Sequence, residues 1–246
     1  MSWVRHNVSR SKLQNNAYFK VASQQSQNDS KNDVINPREI IDTFAKKAND
    51  EYDSSSCMKY IDAILYISYD KSKNEITERE IKKIDPTLSR TLKIDSVENK
   101  IPALGITQSH IAALQEFVKN NAWNTCLILE DDFHFTDTNT ALINRTIKYF
   151  MDTVKNYDML LLSANDNDSK TEDTEYPFIN KIKTTSNKSA YIITRKYLFK
   201  LLGNFMKSSI LIKKEGFNEE YALENFWQKL SLTDNWYSFS ESLGSN

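Results

Sequence analysis

Cys126-Leu127-Ile128-Leu129-Glu130-Asp131-Asp132-Phe133 joins an apolar run directly to three consecutive acids. A short run of this kind, Thr125 to Leu129, reads as a strand buried on both faces and therefore central in its sheet. The acids that follow repel one another unless something positive sits beside them. Glu130 and Asp132 are two apart, so while the chain stays extended they point to the same side. Two carboxylates then converge at the strand's carboxyl end. Hard oxygen ligands of this kind suit Mg²⁺ or Mn²⁺, and such ions commonly share their shell with substrate phosphates. A solvated acidic turn that caps the strand is the alternative reading of the same residues.

Outward from this stretch, strand and helix signals alternate. Ile61 to Ile67, Thr91 to Val97, Asp158 to Ser163, Ala190 to Thr194 and Trp236 to Phe239 read as further strands. Helical spacing of apolar residues marks Glu75 to Ile84, Thr107 to Asn120, Asn139 to Val154, Arg195 to Met206 and Glu219 to Leu230. Strands separated by helices give an α/β fold with a mixed, mostly parallel central sheet flanked by helices. In such sheets ligands bind beyond the carboxyl ends of the strands. The segment Asn165 to Glu175, rich in acids, reads as a solvated loop, with Asn165 and Asp166 nearest that edge.

The chain has 246 residues, with 32 Lys and Arg against 33 Asp and Glu, a formal net charge of −1. That length supports one sizeable domain. The balance argues against a protein built mainly to hold nucleic acid or anionic membrane. There are only four glycines, none at the spacing of a dinucleotide fingerprint or a P-loop. Cys57 and Cys126 form no zinc pattern or disulfide framework, and the three histidines contain no HExxH pair. Chemistry is left to carboxylates and hydroxyls. Met1 to Arg10 has no apolar signal-like core, and no run approaches a membrane-spanning length. The expectation is a cytoplasmic protein. Residues 1–56 are polar and expected to form a flexible N-terminal arm with one helix around Ile40 to Ala45, and 57–246 to form the single folded domain.

Ser109-His110 stands at the expected start of a helix. Thr107 or Ser109 caps it on one reading; on the other, Ser109 or His110 faces a phosphate at the helix's positive end. Trp227, Trp236 and Tyr237 read as core aromatics, Cys126 as a small buried hydrophobe, and Lys181, Lys183 and Lys188 as a scattered exposed edge. His134, two residues past Asp132, reads as a supporting residue.

Gly105-Ile106-Thr107-Gln108-Ser109-His110, followed by Leu127-Ile128-Leu129-Glu130-Asp131-Asp132, resembles the core of glycosyltransferase family 25, which includes bacterial lipopolysaccharide biosynthesis enzymes and procollagen galactosyltransferases. Ile64-Leu65-Tyr66-Ile67, Lys93-Ile94-Asp95-Ser96-Val97, Ser189 to Arg195 and Ala222 to Trp227 resemble further pieces in the same order. The resemblance implies a GT-A-like fold, Mn²⁺ (or Mg²⁺) and a nucleotide-sugar donor such as a UDP-sugar. It implies inverting transfer of a sugar, galactose among the candidates, to a glycan or other hydroxylated acceptor. Asp132 and Glu130 are then metal ligands. Ser109, His110, Tyr66, Glu130 and Asp131 line the donor, and Glu224, with Asp166 behind it, is the catalytic base. Two departures stand out: Ser68-Tyr69-Asp70-Lys71-Ser72 has no Arg where the family usually has one, and Glu224 replaces an Asp. A catalytically degenerate, glycan- or partner-binding member is the alternative.

Overall fold

A computed structural model describes residues 56–164 and 169–245. The expected arm, its helix and Asp166 lie outside these residues. Strands β1 (Ala63–Ser68), β2 (Thr91–Asp95) and β3 (Thr125–Glu130) alternate with helices α1 (Asn74–Ile81) and α2 (Pro102–Lys119). After β3 come β4 (His134–Phe135), α3 (Thr140–Thr153), β5 (Met159–Leu161), β6 (Ser169–Asp173), β7 (Ile179–Thr185) and β8 (Ala190–Thr194). The long α4 (Arg195–Glu215), the short α5 (Leu223–Phe226) and α6 (Gln228–Ser231), then β9 (Trp236–Phe239) and β10 (Gly244–Ser245) complete the order.

Eight strands form one sheet in the order β2-β1-β3-β8-β5-β9-β7-β6, and β10 pairs with β4 in a second. The fold is α/β with a mixed sheet, as expected. Its pairings refine the expectation of a mostly parallel sheet: β2-β1-β3 and β5-β9 run parallel, while β8 and the β7-β6 edge pair antiparallel. The residues beyond β5 are also corrected. Ser169–Asp173, expected as loop, is an edge strand on β7.

Period-two alternation sends β1 and β3 side chains to two cores. Ile64, Leu127 and Leu129 pack with Ile147 and Phe150 of α3 on one face. Leu65, Ile67, Cys126 and Ile128 pack with Phe117 of α2 and with Leu198, Leu201 and Phe205 of α4 on the other. Both faces of β3 are covered, which is why its sequence is unbroken apolar; each such side chain contributes about 2 kcal/mol. Trp227 and Trp236 are fully buried in the second core, as read from sequence.

β1, β2, β3, β5 and β9 all end at the same edge of the sheet, where β8 begins. The acidic triplet therefore stands on a rim that several loops share. Gly105 lets α2 close on that rim, since a Cβ there would sit 2.7 Å from the Val97 carbonyl oxygen.

Candidate functional site

β3 ends at Glu130, and a turn takes over, closed by the Phe133 amide donating to the Glu130 carbonyl at 3.2 Å. The chain is thus not extended through Asp132, and strand alternation does not bring the two carboxylates together. The three acids have three different surroundings.

Glu130 is buried on the α2 face of β3. Its Oε1 lies 3.2 Å from His110 Nε2, and His110 Nδ1 lies 2.8 Å from the Tyr191 hydroxyl. Lys188 Nζ is 3.5 Å from the other oxygen, Oε2. An ionised carboxylate only accepts, so Nε2 carries the proton in this contact. Burial on its own would raise the Glu130 carboxyl, but the hydrogen bond and charge of His110, then Lys188 and the Tyr69 hydroxyl, pull it down to about 2. Glu130, expected as a metal ligand, already has partners on both oxygens.

Asp131 is a clamp. Its Oδ2 accepts the amides of Tyr69 and Asp70, both at 2.6 Å, and its carbonyl accepts the Thr77 hydroxyl at 3.0 Å. It ties the exit of β1 and the first helix to the acidic turn, which is a positioning role.

Asp132 is the open one. It is half-buried, and its Oδ1 is buried with no hydrogen-bond partner. Desolvation raises its pKa, Glu130 and Asp131 add to the rise, and Lys73 opposes it. A buried carboxylate oxygen short of positive charge fits a hard divalent cation, which can take its remaining ligands from water and phosphate. Among the described residues, no three or more His, Cys, Asp and Glu side chains are grouped to hold a metal. The fit rests on the single carboxylate Asp132.

The other candidates divide. Ser109 and His110 lie mid-helix, not at an N-terminus, because α2 begins at Pro102. Ser109 is fully buried, donates to the Gly105 carbonyl at 2.8 Å and accepts the Val97 amide at 2.8 Å, so it holds the loop after β2 and faces no helix-end anion. Tyr66 points into the opposite core and donates to Glu78 at 2.9 Å, away from Glu130. Glu224 is half-buried in the first turn of α5, three residues before Trp227, whose ring packs on Tyr191. His134 is exposed, with its backbone paired to β10. Behind the turn, Gly244 lies so close to the Phe133 ring that no side chain would fit.

Sequence reading missed Lys188, Lys73 and Tyr69. Lys188 was expected on an exposed edge; it is partly buried against Glu130 because β8 runs antiparallel to β3 and starts where β3 ends. The signal was available: a Lys one residue before the Ser189-Ala190 strand start. Tyr69 follows β1 and lies near Glu130 and Ser109; burial, then the charge of Glu130, pushes its phenol up.

No protein-family model matches the chain, and no curated protein matches it. Solved structures give distant likenesses of GT-A-like and nucleotidyltransferase folds. One is a glycosyltransferase involved in the glycosylation of the major capsid of PBCV-1, at 12% identity over 72% of this chain and 93% of that chain, TM-score 0.44. Another is an apo UDP-glucose pyrophosphorylase, at 10% identity over 72% of each chain, TM-score 0.43. A third is the glycosyltransferase GlyE of Streptococcus pneumoniae TIGR4, at 14% identity over 73% of this chain and 45% of that chain, TM-score 0.38. These three likenesses are distant, each under a TM-score of 0.5, and they assign no family.

Proposed function

We propose that the chain transfers a sugar from a nucleotide-sugar donor, of the UDP-sugar kind, to an acceptor hydroxyl with inversion, using Mn²⁺ or Mg²⁺. The observation that carries this reading is the buried, partnerless Oδ1 of Asp132 on a rim shared by the ends of β1, β3 and β5. Asp132 would hold the cation. Such an ion, when bound, acts as a Lewis acid on the donor diphosphate and takes up charge as the nucleotide leaves.

The rest of the work falls to the chain's own side chains. Lys73, whose charge acts on Asp132, and Lys188, on Glu130, supply positive charge for phosphate where the usual Arg is missing. Asp131 keeps the loop after β1 against the turn. Tyr191 and His110 hold Glu130 in one orientation. Glu224 is the candidate base for the acceptor's proton, with Asp166 the alternative. The test is nucleotide release from a panel of nucleotide-sugars by the purified full chain, with Mn²⁺ or with chelator. Release that needs the cation and disappears in Asp132→Asn is expected; no turnover across the panel overturns the reading.

The second reading is a glycan- or partner-binding member without catalysis. It is favoured by the partners that already occupy both oxygens of Glu130. Calorimetry separates the two, because that reading requires UDP not to bind in the presence of Mn²⁺.

A further inference from the structure

The longest helix of the described residues carries a feature that the acidic turn does not explain. α4 buries Leu198, Leu201 and Phe205 in the second core, against α2 and β8, and Ile212 is buried as well. Its other side exposes Phe199 by 64%, Met206 by 46% and Ile210 by 58%. At about 100° per residue, positions 199, 206 and 210 fall within roughly 40° of one another. They form one outward apolar stripe. Gly203 lies along it, with open space where a side chain would stand. Past the helix end Phe217, 58% exposed, stands beside an open hollow of about 410 Å³ lined also by Lys100, Ile101, Pro102 and Ala103.

Along the helix itself the charge has one sign, while past its end the exposed acids Glu219 and Glu220 follow Phe217. From Arg195 to Lys214 the helix holds six cations and no acid. Lys196 pairs with Asp158 and Lys200 with Asp234, and Arg195 binds the carbonyls of Phe117 and Asn120. Lys207, Lys213 and Lys214 are exposed and form no salt bridge among the described residues. The acid that ends the helix, Glu215, accepts the Tyr221 hydroxyl at 2.7 Å. An apolar stripe of Phe, Met and Ile bordered by free lysines matches a surface with an apolar interior and anionic headgroups. It does not match a second copy of itself, because a two-fold contact would set the same lysines against one another. No helix among the described residues is long and apolar enough to cross a membrane, so the contact lies at the surface.

We propose that the exposed face of α4 docks on an anionic lipid bilayer, with Phe199, Met206 and Ile210 entering the interface and Lys207, Lys213 and Lys214 meeting the headgroups. The inference stands apart from the acidic turn and needs no catalysis.

Sedimentation of the full chain with vesicles tests it, using phosphatidylcholine alone or mixed with phosphatidylglycerol. Binding to the mixed vesicles only, weakened by salt, is expected. Lys207→Gln, Lys213→Gln and Lys214→Gln together should lower partitioning by about a hundredfold. Phe199→Ser with Ile210→Ser should lower it by at least about tenfold. All five sites are exposed, so thermal unfolding should be unchanged. Ile76→Ser with Leu92→Ser, at exposed apolar positions on α1 and β2, should leave binding as it was. Equal binding to both vesicle types, no binding, or variants that bind like the parent chain would overturn the proposal. So would a dimer that Ile210→Ser dissociates, since a second copy would then cover the stripe.

Discussion

Beneath the acidic turn, on the α2 side, the buried Tyr191, His110 and Glu130 and the partly buried Lys188 form a chain in which each charged group has a partner. On the rim above it, Asp132 keeps a buried oxygen with none. The two carboxylates are separated by one residue and shift in opposite directions, Glu130 down and Asp132 up. A charge the fold completes contributes to stability; a charge the fold leaves incomplete costs stability and is available to a ligand. The lower region holds the turn in shape so that the upper one can stay unsatisfied.

That contrast can be broken most sharply at Asp132. Asp132→Asn should cut cation-dependent transfer on the order of a thousandfold, and it should raise Tm, because an ionised group that the fold disfavours is gone. Nucleotide release and calorimetric scanning check the two halves. A lowered Tm would mean that the carboxylate is structurally paired after all. Next in size is Glu130→Gln, which leaves Lys188 and the His110 N–H facing a neutral amide. It should destabilise by about 3 kcal/mol in urea unfolding.

A third test uses acid. The folded pKa of Glu130, about 2, lies below its ordinary 4.5. The fold therefore favours the ionised form, and that stabilisation is complete above about pH 4.5. It should fall away between there and pH 2, by about 3 kcal/mol in all, and the same titration of Glu130→Gln should lack this fall. Asp132 has the opposite sign: its raised pKa means that ionisation costs stability as pH rises through the carboxylate range. The smallest effect is expected for Tyr191→Phe. It removes the hydroxyl from His110 Nδ1 and should cost about 1 kcal/mol by urea unfolding, with the fold intact.

Much of this arrangement was legible in the residues. β3 was readable because both of its faces are covered, so its sequence carries no polar interruption. The longer helices were readable from spacing, although the expected helix Glu219 to Leu230 is broken into a 3-10 turn (Glu219–Tyr221) and the short α5 and α6, and α2 starts earlier than Ser109 suggests. Pro102 at its first turn was the available signal. β6 and β7 were not readable. Ser169–Asp173 is an edge strand with no buried residue, and in β7 the buried positions are 179, 182 and 185, a spacing of three that hides a strand's alternation. At the site, the cluster of acids was legible but the division of labour was not. Whether a carboxylate is free depends on what arrives from afar, here His110 twenty residues before Glu130 and Lys188 beyond four later strands. Local pattern carries no record of such partners.

The clamp made by Asp131 has one more consequence. Two amides of the segment after β1 hang on one carboxylate of the turn after β3, so these two stretches of backbone cannot shift independently. Any ligand that pulls on Asp132 tugs the neighbouring strand's exit as well, and Tyr69, carried on that exit, becomes a natural place to attach a reporter of occupancy.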